Sequence, residues 1–293
     1  MSGSSNYVYR IEETVAYIEQ HLSEELKLQD ISQIACFSPY HFHRIFTSIV
    51  GETPYEYITR LRLEKAANML TKMNNLSITQ IAFSCGFSSP ATFARAFKKY
   101  YGVSGSKYRD SGGEVQGKQH VFAFDAEAIE KKIHLQVSIE NLPGYTVAYV
   151  ANLKGYSLSS ICKAWNKLMS WGRERCLLDS TTMIGVSFDD PTITQEEKCR
   201  YHACVVVPDN VAITESDRGV GKEYIPSGEY AVGRAVCHAE EIRLAYRYLY
   251  GKWFPENGYQ PADTFSYELY RALPSEENGY TYTIEVCIPL KPI

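Results

Sequence analysis

The chain has 293 residues, of which 45% are hydrophobic, and a formal net charge of −4 at pH 7; this length suits two domains with separate cores. No apolar run approaches the roughly 18 residues that a membrane helix needs, and no signal-peptide pattern is visible, so we expect a cytoplasmic protein without a membrane partner. The eight cysteines are scattered among apolar neighbours without a C-x-x-C pair. This pattern favours buried reduced thiols over metal or redox sites, and no metal or cofactor is predicted.

One helical pattern occurs twice within the first 110 residues, first at about 31–46 and again 50 to 51 residues later. The matched positions are Ile31 and Ile81, Phe37 and Phe87, Phe42 and Phe93, Arg44 and Arg95, Phe46 and Phe97, and Gly51 and Gly102. A longer helical segment, about 54–72, lies between the copies and begins at a proline suited to a first helical turn. The repeat predicts two equivalent units held at a fixed separation by one helix.

The second copy indicates how each unit folds. Ser77 and Gln80 form the pattern of a capping box at the start of a short helix that ends near Cys85. Gly86 permits the left-handed backbone of a tight turn, and Pro90 begins a second helix. This arrangement is typical of a helix-turn-helix, whose second helix enters the major groove of DNA. Two such helices in one chain favour a monomer over a dimer on double-stranded DNA.

Residues 26–109 carry eleven basic side chains against four acidic ones, a surplus of seven that the negative charge of the whole chain hides. Such a local surplus attracts DNA phosphates. Arg44 and Arg95 are the strongest candidates for reading bases, because a guanidinium group pairs with guanine in a bidentate way. For His41 and His43, a surface position without DNA contact is an equal alternative. The predicted DNA-binding residues are Tyr40, His41, His43, Arg44, Ser89, Thr92, Arg95, Lys98 and Lys99.

The segment from about residue 8 to 110 resembles the DNA-binding domain of AraC/XylS-type transcription regulators. The most specific matches are Ile81-Ala82, Gly86-Phe87-Ser88, Phe93-x-Arg95-x-Phe97-Lys98-Lys99, Gly102 and Tyr108-Arg109. The sequence departs from the family at Gly105, where a proline is usual, and at Cys36, where glycine or another small residue is usual. The resemblance implies an all-α domain over residues 1–110 with two helix-turn-helix motifs.

The composition changes after Asp110, and residues 111–133, which begin with Ser-Gly-Gly, are predicted to form a linker. Strand patterns follow, and with them a second, weaker repeat. Each half is predicted as strand, helix, strand, strand, with the helices near 158–175 and 239–254. Two β-α-β-β halves predict a pseudo-twofold α+β domain over residues 134–293, with a cleft where the halves meet.

This C-terminal part resembles the GyrI-like effector-binding domain, which occurs in multidrug-sensing regulators of the MerR type and C-terminal to the AraC-type domain in relatives of the Rob regulator. The best matches are Gly155-Tyr156 and the runs 225–232, 265–270 and 283–290. One departure is Cys237-His238, where many relatives have a turn resembling glycine-proline-tyrosine. The resemblance implies a small-molecule effector and places the acidic residue of the pocket floor at Glu268.

Glu268 is the predicted centre of the effector site. Strand alternation places it on the same side as Ser266 and Tyr270. A carboxylate facing an aromatic cleft needs a partner, and a cationic or hydrogen-bond-donating ligand would provide one. From the residues alone, an exposed glutamate paired with a Lys or Arg is the alternative, and the resemblance favours the pocket. The predicted effector-binding residues, whose rings suit flat apolar compounds, are Glu268, Tyr149, Trp165, Phe188, Tyr230 and Tyr270.

These observations predict a transcription regulator, not an enzyme, that reads two adjacent major grooves and senses a small apolar or cationic molecule. The effector would change DNA affinity or contact with RNA polymerase. One alternative is that the C-terminal domain is a small-molecule hydrolase with Glu268 as its general base, although the sequence has no Ser/His/Asp or Cys/His motif and no phosphate loop. A third interpretation is that the domain binds only a protein partner.

Overall fold

A computed structural model of the chain describes residues 4–73, 75–113, 125–178, 182–189, 194–214, 216–262, 264–272 and 281–291. The chain divides into two compact units, an N-terminal one and a C-terminal one that begins at Asp125. The fold class expected from the sequence, an all-α tandem helix-turn-helix domain followed by a pseudo-twofold α+β domain, is confirmed. Within the described residues, every helix is too short or too polar to cross a membrane.

The N-terminal unit is helical. Its helices are α1 (Ser4–Gln20), α2 (Leu28–Ile34), α3 (Pro39–Val50), α4 (Pro54–Lys72), α5 (Ile78–Ser84), α6 (Pro90–Tyr101) and α7 (Gly105–Asp110). The first motif consists of α2 and α3, the second consists of α5 and α6, and α4 packs against α3, α5, α6 and α7. Leu63, Ala66 and Leu70 of α4 share one core with Phe93 and Phe97 of α6. The long helix is therefore the common support of the second motif.

Local capping fixes where the short helices begin. Ser77 accepts a hydrogen bond from the Gln80 backbone at 3.2 Å, and the Gln80 side chain accepts one from the Ser77 backbone at 2.8 Å. The capping box predicted from the sequence is thus confirmed. Ser38 and Ser89 cap α3 and α6, and Gly86 has the left-handed φ of +82° that its turn requires.

Three cysteines differ from the expectation that the thiols are buried. Cys36, Cys162 and Cys176 are exposed, whereas the other five cysteines are buried. Cys36 and Cys176 lie just beyond the ends of helices, with positive φ of +54° and +53°, and such helix-ending turns lie at the surface. An apolar sequence neighbourhood therefore did not reveal which thiols face solvent.

We expect Cys36→Gly to stabilise the first motif by about 0.5–1 kcal/mol. A left-handed backbone conformation costs a residue with a Cβ about 1–2 kcal/mol, and glycine avoids this strain. Part of the gain is lost because glycine is more flexible than cysteine in the unfolded chain. Hydrogen exchange of α2 and α3 amides in the full chain measures this change. Cys36→Ala keeps the strain and serves as the control. An equal gain from alanine would show that the backbone conformation is not the cause.

The C-terminal unit is built on one eight-stranded antiparallel sheet. Its strands are β1 (Gln136–Leu142), β2 (Tyr145–Asn152), β3 (Met183–Ser187), β4 (Tyr201–Val206), β5 (Gly221–Ile225), β6 (Gly228–Cys237), β7 (Tyr267–Ala272) and β8 (Tyr282–Pro289). Its helices are α8 (Ala126–Ile133), α9 (Leu158–Glu174), α10 (Ile242–Tyr248) and α11 (Phe254–Asn257), the last two joined by a π-helical turn over Leu249–Trp253.

The strand order shows how the two halves combine. The order β1-β6-β8-β7-β3-β4-β2-β5 is symmetric about the pair β7 and β3. The first strand of each half is exchanged, because β1 pairs with β6 and β5 pairs with β2. Each half therefore contains β-β-α-β-β, one strand more than the sequence repeat predicted. At the junction, Glu268 of β7 lies opposite Gly185 of β3, which places this carboxyl group at the centre of the domain.

Part of the predicted linker is helical. Residues 126–133 form α8, which packs against α10 and β6. Asp125 caps the helix through the Ala128 backbone at 2.9 Å, and Ile129 and Ile133 are buried. Two apolar positions among charged residues were too weak a pattern to reveal this helix from the sequence. Residues 114–124 of the predicted linker lie outside the described residues.

Candidate functional site

The outer face of α6 carries basic side chains on a rigid support. Arg95, Lys98 and Lys99 are exposed, whereas Phe93 and Phe97 on the opposite side are buried in the core. The helix contains no acidic residue. Because its inner stripe fixes its orientation, the basic groups project from one defined surface, which is the form that a DNA-reading helix requires.

Two other predicted DNA contacts lie at the start of α6. The Ser89 hydroxyl accepts a hydrogen bond from the Thr92 backbone at 3.1 Å and lies 2.9 Å from the Thr92 hydroxyl. Both side chains therefore take part in capping the helix. Thr92 is half-buried, one turn before the exposed Arg95.

The corresponding helix of the first motif, α3, is more deeply buried. His41 and His43 are only 2% and 4% exposed, so the expectation that these histidines lie at the surface, with or without DNA contact, is wrong. The Arg44 guanidinium carbon lies 4.7 Å from the centre of the Tyr40 ring, within the range of a cation–π contact. The sequence period identifies the stripe through Phe42 as buried, but it cannot show that tertiary packing also covers the flanking positions.

Three of the arginines that give residues 26–109 their positive charge form contacts within the N-terminal unit. Arg62 donates to the carbonyl oxygens of Leu22 and Glu24 at 2.8 and 2.7 Å. Arg60 pairs with two carboxylates, and Arg109 donates to two backbone carbonyls. Burial lowers the pKa of Arg62, although a guanidinium group stays charged in proteins. These groups support the fold, which makes the basic face of α6 the more prominent surface for phosphates.

Glu268 lies on the sheet face that α9 and α10 cover, and it is only 2% exposed. The Tyr246 hydroxyl of α10 donates to its Oε1 at 2.5 Å, and the Ser187 hydroxyl lies 3.4 Å from the same atom. A Cβ on Gly185 would lie 2.8 Å from Glu268 Oε2 and 2.5 Å from the Tyr201 hydroxyl. The glycine therefore leaves room for the carboxyl group and the phenol beside it.

Aromatic groups from α9 and the sheet continue this cluster. The Trp165 indole donates to the Tyr201 hydroxyl at 3.1 Å, and the Tyr201 and Tyr270 hydroxyls are 3.2 Å apart. The Trp165 and Tyr270 rings meet edge to face at 5.7 Å. Burial raises the pKa of Tyr201 and of Tyr270, so both phenols are neutral at physiological pH. We call Glu268, Trp165, Tyr201, Tyr246 and Tyr270 the central cluster.

The sheet separates the other three predicted effector residues from this cluster. Tyr149 stacks on His202 at 4.3 Å, and Phe188 meets the same imidazole at 4.5 Å. Tyr230 packs against Tyr267 at 5.4 Å. All three belong to the core on the opposite face, because side chains alternate along a strand. The expectation that the six predicted residues share one cleft is therefore wrong, because only Glu268, Trp165 and Tyr270 lie together.

Sequence reasoning missed Tyr201 and Tyr246. The repeat contained a signal for Tyr246, since it aligns with Trp165 when the helices of the two halves are overlaid. Tyr201 had no comparable signal, because its position depends on the pairing of β4 with β3 opposite Ser187. No three His, Cys, Asp or Glu side chains converge as a metal site in the part of the chain that the structure describes. The central cluster offers a carboxyl group and phenols, which suit an organic cation or a hydrogen-bond donor.

Comparison with known families agrees with this architecture. The GyrI-like small molecule binding domain matches residues 135–291, which is more than half of the chain. A helix-turn-helix domain family matches residues 31–111. The two matches fall in the two compact units of the structure.

Individual relatives cover parts of the chain. HTH-type transcriptional activator AarP of Providencia stuartii is 40% identical over 99 residues, 34% of this chain and 73% of the activator. DNA gyrase inhibitor 2 of Dickeya dadantii is 32% identical over 111 residues, 38% of this chain and 69% of the inhibitor. Probable transcriptional regulator LumQ of Photobacterium leiognathi is 36% identical over 93 residues, 32% of this chain, and the match spans only 37% of LumQ. Together with the family matches, these relatives show that the chain belongs to the AraC-type transcription regulators that carry a GyrI-like small molecule binding domain.

Proposed function

We propose that the protein regulates transcription in response to a small organic molecule that binds at the central cluster. The observation that carries this proposal is the position of Glu268, buried at the junction of the two halves and bordered by aromatic side chains from both flanking helices. A flat molecule with a positive charge or with hydrogen-bond donors would gain from the carboxyl group and from the rings together.

DNA binding is assigned to the second helix of each motif. On α6, Thr92 and Arg95 are proposed to read base edges, while Lys98 and Lys99 contact phosphates. On α3, Tyr40 and Arg44 are proposed to contact DNA, and Arg44 is the residue proposed to read bases. Two motifs in one chain support binding as a monomer to two adjacent major grooves.

Arg95→Ala is expected to weaken binding to a selected operator by about 1–3 kcal/mol, because bidentate pairing with a guanine is lost. The operator is first selected from random DNA with the full chain, and affinity is then measured by fluorescence anisotropy at two salt concentrations. Binding of the parent protein should weaken roughly a thousandfold between about 50 and 200 mM salt if phosphate contacts are numerous.

Lys72→Ala is the matched control for Arg95, because Lys72 is an exposed cation at the end of α4 and does not belong to the helix that is proposed to read bases. It removes one positive charge without removing a proposed base contact. Equal losses from both substitutions, or an Arg95→Ala variant that keeps full operator preference, would contradict base reading by α6.

The effector assignment is tested by calorimetric titration of the full chain with a panel of aromatic cations and their neutral analogues. Saturable binding that leaves the compound unchanged, as judged by chromatography, supports a sensor. Turnover of a compound would support the hydrolase interpretation, in which Glu268 acts as a general base. If no compound binds and operator affinity is indifferent to all of them, the effector proposal fails while the DNA-binding proposal stands.

A further inference from the structure

A ligand reaches Glu268 only if a side chain that covers it moves, because the residue is 2% exposed. From α10, the Tyr246 hydroxyl donates directly to Oε1 of the carboxyl group at 2.5 Å. From α9, the Trp165 indole donates to the Tyr201 hydroxyl instead. An effector that binds Oε1 from the side of the helices therefore takes the place of the Tyr246 hydroxyl.

The helix that carries Tyr246 is short and irregular. α10 has only seven residues, Ile242–Tyr248, and continues directly into the π-helical turn Leu249–Trp253. Such turns depart from the α-helical hydrogen-bond pattern and are frequent at functional sites. By contrast, α9 is a continuous α-helix of 17 residues. Of the two helices that cover Glu268, α10 is thus the one whose backbone pattern changes next to the cluster.

The opposite side of α10 contacts α8. Tyr248 follows Tyr246 by two residues, which is about 200° around an α-helix. The Tyr248 hydroxyl donates to Glu130 of α8 at 3.1 Å. Lys132 of α8 pairs at 2.9 Å with Glu241, the residue before α10. A displacement of α10 that withdraws Tyr246 from the central cluster therefore also disturbs the contacts that hold α8.

α8 is the first element of the C-terminal unit, and the chain enters it from the N-terminal unit. Ile129 and Ile133 are buried in this helix, which packs on α10 and β6. Glu130 and Lys132 are half-exposed, and ion pairs at such positions contribute little stability. The docking of α8 therefore depends mainly on apolar packing, which changes when α10 changes position.

We propose that α8 transmits effector binding to the DNA-binding domain. The helix stays docked while Tyr246 holds Glu268, and it is released when an effector takes the place of the Tyr246 hydroxyl. This inference rests on the proposed effector site and adds how that site controls DNA affinity. Because the effector favours the released state, release of α8 and effector binding promote each other to the same extent.

The first test needs no effector, because Tyr246→Phe removes the same hydrogen bond. In the full chain, the α8 amides of this variant should exchange hydrogen about threefold to tenfold faster, since a hydrogen bond to a carboxyl group is lost. Trp165→Phe is the matched control. It removes the indole hydrogen bond within the same cluster, but α9 packs on β2 and β4, so α8 exchange should stay unchanged.

The second test weakens the docking of α8 from its other side. Tyr248→Phe removes the hydrogen bond to Glu130, and it should shift operator affinity in the same direction as Tyr246→Phe. By linkage, Tyr248→Phe should also bind benzyltrimethylammonium, an aromatic cation, about threefold to tenfold more tightly than the parent protein does. Anisotropy with the selected operator and calorimetric titration of the full chain measure the two effects.

Unchanged α8 exchange in Tyr246→Phe, or an equal change in Trp165→Phe, would overturn the proposal. Faster α8 exchange without a shift in operator affinity would do the same. Saturable binding of benzyltrimethylammonium together with unchanged α8 exchange would overturn only the role of α8 and leave the effector proposal intact. If the cation does not bind while Tyr246→Phe releases α8 and shifts operator affinity, the role of α8 is supported and the choice of ligand is wrong.

Discussion

Glu268→Gln is expected to weaken binding of a cationic effector by tenfold to a hundredfold, about 1.4–2.8 kcal/mol. The substitution keeps the size of the side chain and an oxygen that can accept from the Tyr246 hydroxyl, but it removes the negative charge that would attract the ligand. At a site where the carboxyl group is only 2% exposed, solvent screens such an attraction weakly. Calorimetric titration of the full-length protein with each compound of the panel measures the change.

Two comparisons separate this charge effect from a general disturbance. A neutral analogue of the same shape should bind Glu268→Gln and the parent protein with similar affinity. Glu285 is the matched control, since it is also buried but pairs with Arg234 at 3.1 Å and Arg271 at 2.7 Å on the opposite face of the sheet. Glu285→Gln should reduce stability and leave effector affinity unchanged. If Glu268→Gln lost equal affinity for the cation and for its neutral analogue, or if both variants lost equal affinity for the cation, the proposal that Glu268 binds the effector would be contradicted.

Gly86→Ala is expected to destabilise the second motif by about 3 kcal/mol or more. The φ of +82° alone costs a residue with a Cβ about 1–2 kcal/mol. The added methyl group would also lie 2.3 Å from the Leu22 carbonyl oxygen and 2.9 Å from Arg62 Nε. Because Arg62 binds that same carbonyl at 2.8 Å, the methyl group would disrupt a charged hydrogen bond worth about 1.5–3 kcal/mol.

Gly102 provides the control for Gly86. Its φ is +78°, but a Cβ there would have no heavy atom within 4 Å, so Gly102→Ala should cost only about 1 kcal/mol of backbone strain. Hydrogen exchange of α5 and α6 amides in the full chain gives the opening free energy of the motif for both variants. If both alanines cost the same, the contact of the turn with Leu22 and Arg62 contributes nothing to stability.

Local sequence patterns predicted most of the structure of the N-terminal domain. The pair Ser77 and Gln80, the turn at Gly86 and the stripe through Phe93 and Phe97 were all visible in the sequence, because caps, turns and helical periods depend on residues a few positions apart. The hydrogen bonds of Arg62 to backbone carbonyls were not visible in the sequence. Its partner carbonyls lie about 40 residues away along the chain, and no local pattern marks such a contact.

The C-terminal domain shows the same division more clearly. Alternation along β7 put Glu268 and Tyr270 on one side and Tyr267 on the other, and the fold agrees. Alternation within one strand does not say which side of a distant strand shares that face, so Tyr149 and Tyr230 were assigned to the wrong side of the sheet. The pairing register across the sheet decided this, through contacts between residues far apart in sequence.

By itself, the sequence determined the two repeats, the helix-turn-helix motifs and the class of each domain. Each of these depends on a short period, a cap or a turn residue, whose physical effect is local. Only the tertiary structure decided which aromatic rings surround Glu268, that the first strand of each half is exchanged, and that α8 packs against α10 and β6. These features depend on strand register and on packing between elements, and both arise only when distant segments meet.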